Sequence, residues 1–317
     1  MGLPDFLVIG APKAGSTAIH AALVQHPQLF GTVPKEPKFF LTDGRAPRRQ
    51  EQRGPGDWHS AQEWVWQRAR YEQLFDAAPP GTLKGESTPF YLWDRAAHLR
   101  IKAAVPDVKL IAAIRDPVDR AYSNWTHLWA DGLETEPDFL RACLREPERI
   151  AQGYAPFWRY LELSRYGEQL EHLFSVFDRS QVFVLRYRDL VDAPAATLDA
   201  ITGFLGVEQG VISTVPSSNV SSWAGNSAVD RSLRRGIRAG AALGAHVPPK
   251  VWRQAQRPLV AALHRGGVHR PPLDVAVRRQ LVSHFADDVA LLSRLLDRNY
   301  DDWLSDAGRG TFAVRRS

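Results

Sequence analysis

The chain has 317 residues, of which 44% are hydrophobic and 24% are charged, as in a globular protein. No run of about 18 apolar residues occurs, which predicts no membrane-spanning helix, and a strand that begins by residue 6 leaves no room for a signal peptide. The net charge is +5, and only seven of the 40 basic residues are lysines, which favours a bias of the genome over a nucleic-acid partner. One cysteine, Cys143, cannot form an intramolecular disulfide, which indicates a reducing cytoplasm.

The first predicted elements are a strand, a glycine loop and a helix. The run FLVI at residues 6–9 is apolar and rich in β-branched residues, which indicates a buried parallel strand. Gly10 and Gly15 bracket a tight loop, and we expect the helix that follows to extend over residues 16–26. Such a loop presents backbone N–H groups and a helix dipole to one anion, so we predict a phosphate or sulfate site here.

The position of the lysine indicates which anion is bound. A nucleoside-triphosphate loop reads GxxxxGK[ST], whereas here Ser16 and Thr17 follow Gly15 directly and Lys13 lies inside the loop. The loop resembles that of sulfotransferases that use 3′-phosphoadenylyl sulfate (PAPS) and grip its 5′-phosphosulfate there. This resemblance implies that Lys13 is catalytic and that residues 13–17 (Lys13, Ala14, Gly15, Ser16 and Thr17) bind the donor. An ordinary strand–turn–helix with a chance lysine is the alternative reading of this loop alone.

The segment VPKEPKFF at residues 33–40 is predicted to be a loop at the carboxyl edge of the sheet, because its prolines and charges disfavour a helix. It resembles the KExxFF stretch of heparan-type sulfotransferases, which implies that Glu36 is the general base. Lys35, Lys38 and Phe39 would then face the acceptor, with Lys38 at a position often held by histidine in that group. A surface Lys-Glu pair is the alternative.

Residues 42–60 are polar and rich in Gly, Pro and Arg, which predicts a mobile loop, and an amphipathic helix is expected over residues 61–76. A strand and a turn follow in LKGESTPFYL, which is similar to the GExSPxYL or EKTPxYF stretch of the same family. That similarity implies that Ser87, Thr88 and Tyr91 face the acceptor. Heparan 3-O-type members carry a lysine in place of Ser87, so this chain departs from them at that residue.

The segment VKLIAAIRDPVDRAYSNWTHLW at residues 108–129 predicts a buried strand, an Asp116 N-cap, Pro117 at the first helical position and an amphipathic helix. By its spacing, Arg120 lies off the buried stripe of that helix. The segment resembles the RxPxxRxxS pattern of PAPS sulfotransferases. This implies that Arg115 and Ser123 hold the 3′-phosphate of the donor, and an exposed arginine before a capped helix is the alternative.

Residues 164–207 predict a helix, a strand at residues 182–185 and a second helix that ends in Phe204-Leu205-Gly206. The order of helix, strand, RYRDL, helix and FLG is typical of these enzymes, so the resemblance covers residues 5–220. We interpret these residues mainly as packing residues, with Tyr166 a candidate for the donor cleft.

The segment 226–270 carries nine basic residues and one acid, Asp230, and its pattern is compatible with helices. It could meet an anionic membrane surface, a lipid-linked acceptor or the phosphates of the donor; solvated helices of an arginine-rich proteome are the alternative. A final helix is predicted within residues 274–304, followed by a loose tail.

The sequence therefore predicts one α/β domain over residues 1–317, a P-loop-like parallel sheet flanked by helices on both faces. It is identified as a bacterial, cytoplasmic member of the PAPS-dependent sulfotransferases that requires no metal. The acceptor stays open: a hydroxyl or amine of a glycan, glycolipid, glycopeptide or small metabolite. A P-loop kinase and a non-catalytic nucleotide- or glycan-binding protein are the rival interpretations.

Overall fold

Five parallel strands form a single sheet in the order β2-β3-β1-β4-β5 in a computed structural model of the chain, which describes residues 2–47, 64–216, 227–244, 249–263 and 271–306. The strands are β1 (Phe6–Gly10), β2 (Leu29–Gly31), β3 (Leu83–Glu86), β4 (Lys109–Ile114) and β5 (Val182–Arg186). The predicted fold class, a parallel sheet flanked by helices, is confirmed.

The central strand β1 is buried along its whole length, which explains its uninterrupted apolar run. It pairs with β3 on one side and with β4 on the other, where Phe6 lies opposite Gly85 and Lys109. A Cβ atom at residue 85 would come within 2.3 Å of the Phe6 ring, so only glycine fits there. The pairing of β1 with β3 thus depends on the close approach of the Phe6 ring to Gly85.

Thirteen α-helices occur among the described residues. They are α1 (Ser16–Leu23), α2 (Arg68–Gln73), α3 (Arg95–Ala104), α4 (Pro117–Ala130), α5 (Phe139–Leu144), α6 (Glu146–Ala151), α7 (Tyr166–Val176), α8 (Tyr187–Asp192), α9 (Pro194–Leu205), α10 (Ala228–Gly244), α11 (Pro249–Leu263), α12 (Val275–Val282) and α13 (Ala286–Leu296). None of the helices in these parts of the chain is long and apolar enough to cross a membrane.

Three predicted helix boundaries were wrong. Helix α1 ends at Leu23 because the N–H groups of Gln25 and His26 bond only three residues back, to the carbonyls of Ala22 and Leu23, and so tighten the chain into turns. The helix expected over 61–76 is the shorter α2, and residues 61–63 lie outside the described part. The final helix divides at a 3₁₀ turn, Ser283–Phe285, and Asp297 ends α13 in a left-handed conformation.

The contacts divide the chain into two compact units. The first contains the described parts of Met1–Pro47, Trp64–Arg115 and Glu168–Asn219, and with them the whole sheet. The second contains Asp116–Gly167 and the described part of Val220–Ser317, which is helical. The interpretation of residues 1–317 as one domain stays a prediction.

Helix α4 begins as predicted, with Asp116 accepting hydrogen bonds from the backbone N–H groups of Val118 and Asp119 at 3.0 Å. Arg120, however, is completely buried, which corrects its placement off the apolar stripe. Its guanidinium donates to Ser164 Oγ at 2.6 Å and to Asn124 Oδ1 at 2.9 Å. Burial of this charge is tolerated because neighbouring oxygens accept hydrogen bonds from the guanidinium N–H groups. Helical spacing does not reveal where such acceptors lie.

Within the second unit, α10 and α11 form the helical part of the basic segment 226–270. They pack around Ile237 and Leu263, which are buried. Four partly buried apolar side chains pack against this pair: Leu133, Leu233, Leu259 and Val260. The Arg234 guanidinium lies 3.7 Å from the centre of the Trp129 ring and donates to the Trp129 carbonyl. At least one arginine of this segment is therefore part of the core instead of a solvated surface.

The predicted loop over 42–60 lies mostly outside the described residues, as do residues 217–226. Residues 42–45 follow a 3₁₀ turn, Phe39–Leu41, and form bends.

Candidate active site

The carboxyl ends of all five strands lie on one edge of the sheet, because the strands are parallel. Each strand leads at that edge into a segment with polar side chains: the loop with Lys13 after β1, Glu36 after β2, Ser87 after β3, Arg115 after β4 and Tyr187 after β5. In open α/β sheets this edge is where ligands bind. The strand order therefore brings together residues that are far apart in the sequence.

The loop after β1 turns tightly through two left-handed residues, Lys13 (φ 67°) and Gly15 (φ 97°). The Ala14 N–H donates to the Ala11 carbonyl at 3.1 Å, so this donor is used inside the loop. Gly15 is the N-cap of α1 and, as a glycine, has no side chain to cap the positive end of the helix dipole. Ser16 is buried and Thr17 is exposed at the first turn, where an anion would bind.

Arg115 follows β4 and lies beside this loop. Its Nη1 atom donates to the Lys13 carbonyl at 3.4 Å, and its guanidinium lies 5.0 Å from the centre of the Tyr187 ring. The same ring lies against Gly15, where a Cβ atom would come within 2.7 Å of Tyr187 Cδ2. Arg115, Tyr187 and the β1 loop are therefore in contact with one another.

Lys35 connects the β1 loop region to Glu36. Its ammonium donates to Thr17 Oγ1 and to Glu36 Oε1, both at 2.9 Å. The lysine side chain is 19% exposed and the glutamate side chain is 33% exposed, so the pair is partly shielded from water. The two motifs singled out in the sequence thus meet through a single ammonium group.

His20 and Ser87 lie behind this pair. His20 Nδ1 lies 2.9 Å from Ser87 Oγ, and the Ser87 N–H donates to the Lys35 carbonyl at 2.9 Å. Burial, assisted by the positive charge of Lys35 and opposed by the charge of Glu36, lowers the pKa of His20 to about 4. His20 is therefore a neutral imidazole at pH 7.

The loop that carries Glu36 is tied to the turn after β3. The backbone N–H of Lys38 donates to Thr88 Oγ1 at 3.2 Å, and that of Phe40 donates to the Tyr91 hydroxyl at 3.3 Å. Ser87, Thr88 and Tyr91 are completely buried. Their predicted contact with the acceptor stays a prediction, whereas their hydrogen bonds to the loop are direct observations.

The side chains of Lys38 and Phe39 extend the loop towards α2. Phe39 stacks on Tyr71 with ring centres 4.2 Å apart, and the Lys38 ammonium lies 5.8 Å from the centre of the Trp64 ring. Lys38 takes a left-handed conformation with φ 60°. Phe39 therefore anchors the loop against α2, and its predicted contact with the acceptor stays a prediction.

Two predicted donor-binding residues belong to the second unit. Ser123 is half-buried on α4, and Tyr166 is buried at the start of α7 with its ring 6.1 Å from that of Trp303. Asp116, the cap of α4, accepts a bidentate pair of hydrogen bonds from Arg278 at 3.1 and 2.5 Å. The roles of Ser123 and Tyr166 in donor binding stay predictions.

Sequence reasoning missed Glu86, Tyr187 and Arg278. Glu86 ends β3 as a fully buried carboxyl, and an acid at the last position of a core strand was the available signal. Tyr187 is the first residue after β5, a position that could have suggested the site edge. Nothing in the pattern around Arg278 indicates that it pairs with a residue 162 positions away.

Comparison with known families gives the assignment. The profile of the sulfotransferase family matches residues 4–210, nearly two thirds of the chain. This protein belongs to the sulfotransferase family. The matched stretch contains β1 to β5 and all residues of the site edge described above.

Human heparan sulfate enzymes are among the proteins that are similar to this chain. The sulfotransferase chain is 30% identical over 208 residues to human heparan sulfate glucosamine 3-O-sulfotransferase 3B1, covering 65% of this chain and 47% of that protein. It is 30% identical over 207 residues to human bifunctional heparan sulfate N-deacetylase/N-sulfotransferase 3, covering 65% of this chain and 22% of that protein. The chain thus spans about half the length of the first of these curated relatives, and less of the second.

A solved structure resembles the sulfotransferase chain over nearly its whole length. The crystal structure of a sulfotransferase from Alicyclobacillus acidocaldarius superposes with a TM-score of 0.74 and 27% sequence identity, covering 96% of this chain and 100% of that chain. The parallel sheet and its flanking helices are therefore those of the family.

Proposed function

We propose that this protein transfers a sulfuryl group from PAPS to a hydroxyl or amine of an acceptor, with Glu36 as the general base and Lys13 at the leaving group. The observation that supports this most directly is the Lys35 ammonium, which binds both Thr17 at the start of α1 and the carboxylate of Glu36. A candidate base is thereby held beside a candidate anion site. General-base catalysis requires that proximity.

The residues around the β1 loop fit an anionic donor. The start of α1 has no side-chain cap, and Gly15 lets the chain pass closely over the Tyr187 ring. Residues 15–17 would bind the phosphosulfate through backbone N–H groups, and Arg115 would bind the 3′-phosphate through its guanidinium. Ser123 and Tyr166 are the further donor contacts that the family resemblance implies.

The reaction is an in-line displacement at sulfur. The acceptor oxygen or nitrogen forms a bond to sulfur while the bond from sulfur to the bridging oxygen breaks, and the electron pair leaves with the phosphate. Lys13 would stabilise the charge that develops on that oxygen. The acceptor proton would pass to Glu36, and because Lys35 binds Oε1, the Oε2 atom is the one proposed to accept it.

The acceptor class that the relatives suggest is a glycan. One relative named above is a heparan sulfate glucosamine 3-O-sulfotransferase and the other is a heparan sulfate N-deacetylase/N-sulfotransferase, so hydroxyls and amines of glucosamine-containing oligosaccharides are the first acceptors to test. Ser87 at the position of a lysine in heparan 3-O-type members points to a less anionic acceptor. A lipid-linked acceptor that reaches the protein through the basic segment 226–270 is the second class.

Calorimetric titration with 3′-phosphoadenosine 5′-phosphate (PAP) and with ATP-Mg²⁺ tests the donor class. We expect tight binding of PAP and weak binding of ATP-Mg²⁺; the reverse order would favour a kinase. Incubation with ³⁵S-labelled PAPS, glucosamine oligosaccharides and p-nitrophenol then tests transfer. Binding of PAP without a labelled product from any acceptor would favour a non-catalytic protein.

The base is tested by Glu36→Gln, which keeps the shape of the side chain and removes its basicity. We expect turnover with the best acceptor of that panel to fall by about 10²–10⁴ while the dissociation constant of PAP stays unchanged. A raised KM with intact kcat would make Glu36 an acceptor-binding residue instead.

A further inference from the structure

Glu86 is a fully buried carboxyl on which three hydroxyl groups converge. Tyr91 donates to Oε1 at 2.7 Å, Thr88 donates to Oε2 at 2.8 Å and Tyr71 donates to Oε1 at 3.3 Å. Burying a carboxyl costs free energy even when it is hydrogen-bonded, and burial raises the pKa of Glu86 to about 8. An apolar residue would avoid that cost, so the carboxyl calls for a role beyond packing.

Two of these three hydroxyls also bind the loop that carries Glu36. Thr88 Oγ1 accepts the N–H of Lys38, and the Tyr91 hydroxyl accepts the N–H of Phe40. Each hydroxyl thus lies between the carboxyl and one backbone N–H of the loop. A neutral carboxyl still has one oxygen that accepts and one O–H that donates, so both hydroxyl oxygens are held in either protonation state.

The loop is also fixed by two further contacts with the sheet and α3. The Lys35 carbonyl accepts the N–H of Ser87 at 2.9 Å, and the Phe40 carbonyl accepts Arg100 Nη1 at 3.0 Å. Glu36 therefore lies on a short segment whose flanking backbone is held on both sides. On the carboxyl-terminal side of Glu36, the Glu86 cluster supplies the contacts to the backbone N–H groups of Lys38 and Phe40.

We infer that Glu86 is a positioning residue, which holds the Glu36 loop in its active conformation through the hydroxyls of Thr88 and Tyr91. This inference rests on the proposed function, in which Glu36 removes the acceptor proton. Glu86 touches neither donor nor acceptor in this scheme. It acts by keeping the backbone at Lys38 and Phe40 in one place. A general base needs such a fixed position, because it must lie within hydrogen-bonding distance of the acceptor in each catalytic cycle.

Amide hydrogen exchange at Lys38 and Phe40, followed by NMR on the full chain at one pH, tests the inference directly. Thr88→Val should lower the protection factor of the Lys38 amide by about twofold to tenfold, the range for loss of one neutral hydrogen bond. Thr88→Ser, which keeps the hydroxyl, should leave that protection factor at the parental value. Tyr91→Phe should lower the protection factor of the Phe40 amide as Thr88→Val lowers that of Lys38. Tyr71→Phe is the matched control, because Tyr71 also donates to Glu86 whereas the two amides donate to Thr88 and Tyr91.

Glu86→Leu should lower protection of both amides together, with an unchanged dissociation constant for PAP and a reduced kcat for transfer to the best panel acceptor. Parental protection at both amides in Glu86→Leu would overturn the inference. If that variant does not fold, parental protection in Thr88→Val and Tyr91→Phe would overturn it. Loss of protection with parental kcat would support the anchoring by Glu86 and overturn the role proposed for Glu36.

Discussion

At the scale of single residues, the candidate site is held together by hydrogen bonds from two charged side chains. Lys35 joins Thr17 to Glu36, and Arg115 contacts the carbonyl of Lys13. Lys35 holds the carboxylate of Glu36, whereas Lys13 is the residue proposed to act on the leaving oxygen. Substitution of each group separately can distinguish the two roles.

Lys13→Ala should lower turnover by about 10²–10³, the range for loss of one transition-state donor, because the charge on the leaving phosphate would lose its ammonium partner. The dissociation constant of PAP, measured by calorimetry, should rise by a smaller factor. If binding is lost while kcat is kept, Lys13 anchors the donor and has no part in the chemical step. Lys84→Ala, a change of a lysine on β3, is the control.

Glu86 should make stability depend on pH. Its pKa is raised from an ordinary 4.5 to about 8, mainly by burial and also by the charge of Glu36, while the hydrogen bonds from Tyr91, Thr88 and Tyr71 oppose the shift. Between these values the folded protein holds a proton that the unfolded chain has released. The stabilising contribution of this group is therefore complete below about pH 4.5 and is lost as the pH rises through 8.

Urea unfolding of the parent and of Glu86→Gln between pH 5 and pH 8 measures this contribution. Relative to the variant, the free energy of unfolding of the parent should fall with pH by up to about 1.4 kcal/mol per unit. Parallel pH profiles for the two proteins would show that Glu86 ionises normally in the fold.

At the scale of elements, each strand delivers a polar residue to the same edge, and a shielded ion pair holds the start of α4. Asp116 caps α4 and is itself bound by Arg278, whose guanidinium also donates to the carbonyls of Trp303 and Ser305 at 2.9 Å. The side chains of Arg278 and Asp116 are 4% and 12% exposed. This ion pair therefore joins α12 to Asp116, the N-cap of α4 and the residue after Arg115.

Arg278→Met should destabilise the protein by about 3–5 kcal/mol, because it leaves the Asp116 carboxylate buried without its partner. Arg279→Met is the matched control: the neighbouring arginine pairs with Asp306 at the surface, and its loss should leave stability near the parental value. Urea denaturation of both variants gives the comparison. Equal midpoints for the two would mean that Asp116 caps α4 equally well without Arg278.

At the scale of the whole molecule, donor binding should stabilise the folded protein by mass action. PAP at 100 times its dissociation constant should add about 2.7 kcal/mol to the free energy of unfolding. In Arg115→Ala, donor affinity should fall by about 2–4 kcal/mol, so most of this gain should be lost at the same concentration. Thermal unfolding with and without PAP is the measurement.

The control ligand for Arg115 is 5′-AMP, which lacks the 3′-phosphate. Any stabilisation of the parent by 5′-AMP should persist in Arg115→Ala, because the residue is assigned to the missing group. An equal loss for both ligands would contradict that assignment and place Arg115 elsewhere in the site.

The sequence by itself determined those features whose causes are local. Asp116 caps α4 through N–H groups two and three residues away, and the strand–loop–helix from Phe6 to Leu23 follows from an apolar run, two glycines and the helix that begins at Ser16. The motif order along these junctions was enough to indicate the family, which the match over residues 4–210 confirms. Short-range hydrogen bonds and apolar periodicity act the same way in any fold, so they can be recognised from the sequence.

Only the tertiary structure decided which of these groups meet. Strand order placed Lys35 against Thr17, tied the loop of Glu36 to Thr88 and Tyr91, and buried Glu86 among hydroxyls 2 to 15 positions away. The burial of Arg120 and its bonds to Ser164 and Tyr160, 44 and 40 positions away, reversed the expectation from helical spacing. Such contacts depend on how strands and helices pack, and a buried polar group is stable only where that packing supplies its partner.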